Sequence, residues 1–161
     1  MSATDRMLAP VFARLNMMAA RGTVLAVDDA GGGQTMQLGL LAGETADGVE
    51  RFQSYGVSSV PAAGSEVLVV FLGGNRDHGI VAAVNDRGVR PAGLRNGEVI
   101  LYNDANVSLL LNADGELVIR AKRAIIEIEE DIAITAGQPV TVDADIECTG
   151  TITAKQVIET G

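Results

Sequence analysis

The feature that most constrains the fold is a strict alternation of apolar and polar residues near the end of the chain. The stretch from Ile125 to Thr135 reads IIEIEEDIAIT, and fourteen of the eighteen even-numbered positions from 124 to 158 are apolar. A period of two is typical of a β-strand that buries one face. Because the phase continues through the turn signals at 137–139 and 149–150, one face of a long strip is apolar throughout.

The apolar face of this strip has no visible partner elsewhere in the chain. A β-meander with one bare apolar face is not stable alone. Three copies wound about one axis bury these faces against each other and pair their edges. A single-chain β-solenoid needs more coils than about 60 residues provide. We therefore predict a homotrimeric, intertwined β-helical rod, and its axial core is formed by Ile126, Ile128, Ile132, Ile134, Val140, Val142, Ile146, Cys148 and Ile152.

A period of two also marks the region before the strip, but in short pieces separated by turn residues. Aromatic residues make up only 3% of the chain and glycine occurs 19 times, which favours many short strands over helices. Five short strands in about 65 residues, with an aliphatic fourth strand, predict a small barrel such as an OB-fold, and other small barrels share this periodicity. The strands are predicted at 22–28, 34–40, 49–56, 66–72 and 79–84.

The first twenty residues show helical spacing instead. Pro10 fits best near the first helical turn, so the regular helix is predicted to begin at about Ala9. The stripe packs on its own domain or docks to a partner, and both interpretations stay open. Its apolar residues recur at intervals of three and four: Leu8, Val11, Phe12, Leu15, Met18 and Ala19.

A segment rich in Gly, Pro and Arg at 85–104 is interpreted as a boundary. The predicted architecture is therefore all-β with three regions. They are a helical docking segment at 1–20, an OB-fold-like five-stranded barrel at 21–90, and a triple-stranded β-helical rod at 91–161.

Composition excludes several functional classes. The net charge of −9 and the pI near 4.5 argue against general nucleic-acid binding, because a polyphosphate is repelled. Cys148 is the only cysteine, so an intrachain disulfide framework is excluded. In the predicted trimer three Cys148 thiols lie near the axis, and because an odd number of thiols cannot pair completely, we predict a reduced, buried packing residue. The charged N-terminus does not resemble a secretory signal, and no apolar run reaches the length of a membrane span, which predicts a protein that is made to stay soluble in a cytoplasm.

The acidic residues of the strip are interpreted as solvated surface rather than as a calcium or catalytic cluster. They alternate on the outer face of a strand, where they repel one another. Glu130 and Gln138 lie in the inner phase and mark either turns, which we favour, or polar layers that hold water or an ion. The outer acidic residues are Glu127, Glu129, Asp131, Asp143, Asp145 and Glu147.

No catalytic, cofactor or metal site is predicted. His78 lies in a turn-like NRDHG sequence without a neighbouring Ser or Cys nucleophile, so its predicted role is structural. A saccharide-binding module on a trimeric stalk is the main alternative, with Phe52 and Tyr55 as the clustered aromatic candidates. A polysaccharide lyase is the third interpretation, but the chain is too short for it and lacks a basic constellation.

Several stretches resemble the Mu-like central spike family of contractile phage tails. They are ARGTVLAVDD, VFLGGNRDHGIVAAVNDRGVRPAGLRNGEVILYND, LLLNADGELVIRA and TGTITAKQV, and the resemblance covers most of the chain. It implies a virion protein of the tail baseplate whose N-terminal helix and OB-fold collar join the hub. It also implies a rod that points at the host and crosses the outer membrane, without enzymatic activity, when the sheath contracts.

One departure from that family concerns the tip. Relatives often end in a histidine-x-histidine motif that binds iron on the three-fold axis. Here the only histidine is His78, and the chain ends at KQVIETG. The tip is closed by apolar packing or by a separate tip protein, or the chain is shortened before the apex, and we predict no metal.

Overall fold

A computed structural model describes residues 3–154, which divide after Lys122 into two units. The first unit contains one helix, eight strands and two short 3-10 turns, at Leu41–Gly43 and Leu72–Gly74. The helix and strands are α1 Ala3–Asn16, β1 Ala19–Asp28, β2 Gln34–Gly39, β3 Thr45–Arg51, β4 Glu66–Phe71, β5 Gly79–Asn85, β6 Val99–Tyr102, β7 Ser108–Leu111 and β8 Leu117–Arg120.

Strands β1 to β5 form a closed barrel in the order β1-β2-β3-β5-β4, with β4 pairing back onto β1. The neighbouring pairs are antiparallel except for β3 and β5, which are parallel. Alternate side chains point into the barrel and form one core, which confirms the predicted five-stranded barrel. The core residues are Val24, Met36, Leu38, Leu40, Val49, Val67, Val69, Phe71 and Val81.

The third strand differs from its prediction. It begins at Thr45 and ends at Arg51, whereas alternation predicted a strand at 49–56. Gly48 has a φ of +64°, and the β2–β3 register shifts between Met36 and Leu38. A bulge of this kind breaks the alternation that reveals a strand in sequence, so the first half of β3 was missed.

The helix also differs from its prediction. It begins at Ala3, so Pro10 lies in its middle and the predicted start at about Ala9 is wrong. Proline removes one helical hydrogen bond, but the surface of α1 is exposed, so water can bind the freed carbonyl. The helix ends at Asn16, and Met18 and Ala19 therefore do not belong to its apolar stripe.

The last turn of α1 is fixed to the barrel by a close backbone contact. A Cβ atom added to Gly74 would lie 2.5 Å from the carbonyl oxygen of Arg14, and Gly74 has a φ of +72°. The Phe71 N–H also donates a 2.8 Å hydrogen bond to the carbonyl of Met18. Glycine at position 74 thus lets the helix approach the 3-10 turn that follows β4.

The strand directions define two ends of the barrel. Because β1 is antiparallel to β2, β2 is antiparallel to β3, and β3 is parallel to β5, strands β1, β3 and β5 all run the same way. The loops that follow them lie at one end, where the chain continues towards β6, and we call this the linker end. Helix α1 and the turns after β2 and β4 lie at the opposite end, the helix end.

Strands β6 to β8 form a three-stranded antiparallel meander. Its two five-residue turns begin at Asn103 and Asn112, and each of these amide oxygens accepts hydrogen bonds from two N–H groups of its own turn. The fourth residue of each turn has a positive φ, +60° at Asn106 and +82° at Gly115. The two turns therefore have matching construction, spaced nine residues apart.

The second unit is described for residues 123–154. Over this range the chain forms no helix or strand with itself, and every described side chain is exposed. The final residues of the predicted rod, 155–161, lie outside the described residues. The predicted triple-stranded rod and the domain limits at 20 and 90 stay predictions.

Candidate interaction surfaces

The β6–β8 meander has one face made entirely of aliphatic side chains, which we call the sheet face. The register places one residue from each strand in each of two rows across the sheet, Val99–Leu111–Leu117 and Leu101–Leu109–Ile119. All of these side chains except the half-buried Leu109 are exposed. Such a contiguous apolar surface is typical of an interface.

The opposite face of the same meander is also apolar in part. Its central row consists of Ile100, Leu110 and Val118, all half-buried within the chain. A sheet with aliphatic residues on both faces is normally covered on both sides. The sheet face is the more exposed of the two, so it is the side that most needs a cover.

Residues 123–154, which we call the rod segment, hold the predicted axial side chains. None of the nine is buried within the chain: the aliphatic ones range from 49% exposed at Ile128 to 73% at Ile126, and Cys148 is exposed. Ile125, in the predicted outer phase, is 64% exposed, so exposure alone does not distinguish the phases. Burial of these side chains requires a surface that residues 3–154 of one chain do not supply.

Helix α1 carries a third apolar surface, the helix stripe. Its members are exposed although the helix is attached to the barrel through the Arg14–Gly74 contact. Asp5 in the first turn and Arg14 in the last turn suit the helix dipole. The helix stripe consists of Met7, Leu8, Val11, Phe12 and Leu15.

The loop between β3 and β4, residues 52–65, is a fourth surface. Four of its large apolar side chains are exposed, and Tyr55 is 106% exposed. Both aromatic candidates from the sequence, Phe52 and Tyr55, lie in this loop. Its exposed apolar residues are Phe52, Tyr55, Val57 and Val60.

A network of polar side chains fixes this loop to the barrel. The guanidinium of Arg51 donates to the Ser59 carbonyl at 2.7 Å and to the Gln34 amide oxygen at 2.9 Å. The buried Gln34 amide donates in turn to Asp29 at 2.8 Å and to the Ser59 carbonyl at 3.1 Å. Partial burial lowers the pKa of Arg51 from its ordinary value, and the nearby Asp29 carboxylate opposes that shift.

Known proteins are similar to this chain in sequence. The family described as "Bacteriophage Mu Gp45, N-terminal" matches residues 21–88, which cover the barrel except for the first two residues of β1. The Mu-like prophage FluMu protein gp45 of Haemophilus influenzae is 41% identical over 144 residues, which cover 89% of this chain and 78% of the relative. The baseplate puncturing device gp45 of Escherichia phage Mu is 37% identical over 147 residues, covering 91% and 74%.

The chain belongs to the bacteriophage Mu gp45 family. The similarity to both relatives extends well beyond residues 21–88, so it includes much of the sequence after the barrel. The resemblance seen in the sequence to Mu-like spike proteins is thus confirmed at the level of the family.

His78 belongs to the tight turn after β4, where its N–H donates to the Asn75 carbonyl and its carbonyl accepts from the Leu72 N–H. Within residues 3–154, no group of three or more His, Cys, Asp or Glu side chains is arranged to hold a metal. The same residues contain no helix that is long and apolar enough to cross a bilayer. The acidic residues of the rod segment are exposed, as are Glu130 and Gln138.

Two features of the structure were missed by sequence reasoning, one surface and one polar network. The sheet face was included in the predicted rod at 91–161, but its local antiparallel pairing was not foreseen. The Gln34–Arg51–Ser59 network was also missed, because its members are widely spaced in the sequence. The spacing of nine residues between the NDANV and NADGE turns was the available signal for the meander.

Proposed function

We propose that this protein is the central puncturing spike of a contractile phage tail, or of a phage-derived particle, and acts as a homotrimer. Its place is the tail baseplate of the virion, after synthesis in the host cytoplasm. The name of the phage Mu relative, a baseplate puncturing device, supports the role. The work is mechanical: sheath contraction drives the rod through the outer membrane, and no reaction is catalysed.

The observation that carries the proposal is the presence of two exposed apolar surfaces in the same chain. The sheet face and the predicted axial side chains of the rod segment follow one another in the chain, and both are exposed in the single chain. Each fully buried Val, Leu or Ile side chain contributes roughly 1.5–3 kcal/mol relative to exposure. Three copies that bury these surfaces together gain this energy and leave the carboxylates of the rod segment in water.

The helix end of the barrel is the proposed docking site for the baseplate hub. The helix stripe is apolar and exposed there, while the chain leaves the barrel from the opposite end. A hub bound at the helix end leaves the linker end free to carry the spike. A separate tip protein at the far end of the rod is compatible with this arrangement.

Oligomeric state and a pair of adjacent substitutions test the proposal. Ile134→Asp places three carboxylates on the predicted axis and is expected to abolish the trimer, whereas Thr135→Asp on the outer face leaves it intact. Size-exclusion chromatography with light scattering measures both. Equal effects at the two positions contradict the axial phase, and a folded wild-type monomer with a protected rod segment contradicts the spike.

A further inference from the structure

The loop at 52–65, which we call the uncharged loop, departs from the rest of the chain in composition. It contains no charged residue among fourteen, although 20% of the whole chain is charged. It combines one Tyr, one Phe and two Val with four Ser and two Gly. Depletion of charge and enrichment of large aromatic residues are typical of the central part of a protein–protein interface.

The uncharged loop is held in place before any partner binds. Besides the bonds from Arg51 and Gln34, the Ser59 N–H donates to the Gln53 side-chain oxygen at 2.8 Å. Within the loop, the Val57 N–H donates to the Ser54 carbonyl at 3.0 Å. A loop fixed in this way loses little conformational entropy on binding, so its exposed apolar side chains are available for contact at low cost.

The position of the uncharged loop decides between possible partners. The loop follows β3 and therefore lies at the linker end, the end from which the chain continues towards β6 and the rod segment. The proposed hub-docking stripe lies at the helix end. Within the proposed trimer the rods of all three copies begin at the linker ends, which brings these ends of the three copies together.

Charge also favours a second copy as the partner. Each chain has a net charge of −9, so two copies avoid close contacts between like charges only where their facing surfaces lack charge. The uncharged loop is such a surface, and Tyr55 projects from it fully exposed. The aromatic platforms considered for saccharide binding are therefore better explained as contacts between like-charged subunits.

We infer that the uncharged loop is an intersubunit clasp, in which Tyr55 and its apolar neighbours of one copy pack against the adjacent copy where the rod begins. The inference rests on the proposed trimer and adds a second contact, separate from the rod segment. Its loss weakens the trimer without unfolding the barrel, because none of the four apolar side chains belongs to the barrel core.

Matched substitutions test the clasp in the full-length chain. Tyr55→Asp is expected to raise the protein concentration at which the trimer dissociates by at least about tenfold, as for an aromatic hot spot. Leu41→Asp is the control, because Leu41 is 75% exposed but lies in the turn after β2 at the helix end. Analytical ultracentrifugation over a dilution series measures both, and a photo-crosslinking amino acid at position 55 is expected to yield covalent subunit pairs.

The outcomes separate the clasp from the spike. A stable trimer in which Tyr55→Asp and Leu41→Asp dissociate alike, without crosslinked pairs from position 55, overturns the clasp and leaves the spike standing. A wild-type chain that never forms a trimer overturns the spike. Tenfold weakening by Tyr55→Asp alone, with crosslinks between subunits and unchanged hydrogen exchange in the barrel, supports the clasp.

Discussion

The barrel and the rod segment use similar residues in opposite ways. In the barrel, alternating Val, Leu and Met side chains converge on a core in which Leu38, Val69 and Phe71 are completely buried. In the rod segment the alternation is at least as regular, yet no described side chain is buried. Alternation thus shows which face needs cover, while closure within the chain decides whether one copy can supply it.

The difference lies in chain geometry. The barrel closes because β5 lies between β3 and β4, so each strand has two neighbours from the same chain. Closure leaves no free edge and encloses a common interior. The rod segment makes no return of this kind among its described residues, and its apolar face needs other chains. We therefore expect the barrel to stay folded when the trimer dissociates, and the rod segment to lose its structure.

The largest effect is expected from a substitution in the barrel core. Phe71→Ala removes a fully buried ring and is expected to destabilise the barrel by about 3–5 kcal/mol, because it leaves a cavity. Urea unfolding followed by hydrogen exchange in barrel peptides measures the loss. The same loss is expected at high and low protein concentration.

The matched control for Phe71→Ala is Ile146→Ala in the rod segment, where the side chain is 69% exposed in the single chain. Its expected effect is a rise in the protein concentration at which the trimer dissociates, with no effect on the dissociated chain. A concentration-independent effect of Ile146→Ala would break the contrast between the two regions.

The second largest effect is expected where helix α1 meets the barrel. Gly74→Ala combines a positive φ with a contact to the Arg14 carbonyl, and we expect a local cost of about 1–3 kcal/mol. Hydrogen exchange of residues 3–16 should accelerate while the barrel strands stay protected. Gly73→Ala is the control, because Gly73 has a φ of +64° but no atom within 4 Å of an added Cβ. Equal effects of the two changes would show that the Arg14 contact contributes nothing.

A smaller effect is expected in the turns of the meander. Gly115→Ala forces a side chain into the left-handed region and is expected to cost roughly 1 kcal/mol. Gly115→Asn is expected to cost less, because Asn106 adopts the corresponding conformation in the first turn. Thermal unfolding of both variants measures the difference, and indistinguishable melting temperatures would contradict the matched turns.

The smallest effect is expected from pH at the same meander. Hydrogen bonds from the Arg95 N–H, the Arg95 guanidinium and the Ala113 N–H lower the pKa of Glu98 from its ordinary value of 4.5. Because the folded pKa is the lower one, this stabilisation is present above pH 4.5 and is lost as pH falls through the folded value. The protection factors of the amides in β6–β8, which correct for the intrinsic pH dependence of exchange, should therefore fall below pH 4.5. Glu98→Gln should reduce that dependence, and an unchanged profile would exclude Glu98 as its source.

The barrel was largely predictable from sequence because each strand is a local pattern bounded by turn residues. Strands β2, β4 and β5 begin where alternation placed them, and each ends within one residue of its prediction. The predicted start of β3 was wrong because Gly48 breaks the alternation of the strand. The predicted start of α1 was wrong because the preference of proline for the first helical turn is only a statistical rule. Both errors came from positions at which local rules meet an exception in backbone geometry.

The interaction surfaces were only half predictable. The axial phase of the rod segment follows from alternation, but the sheet face needs the pairing of Val99, Leu111 and Leu117, which lie in three different strands. The uncharged loop can be recognised in the sequence by its lack of charged residues, and its two aromatic residues were noted as candidates. Its attachment through Arg51 and Gln34 was not visible, since that contact joins separate strands.

The sequence by itself determined the alternating faces, the turns between them, the acidic surface and the membership in the Mu gp45 family. Each of these depends on neighbouring residues or on similarity along the chain. Only the tertiary structure decided the parallel closure of β3 on β5, the attachment of α1 at Gly74 and the separation of the helix end from the linker end. These features join distant residues, and their free energy depends on packing that no local pattern specifies.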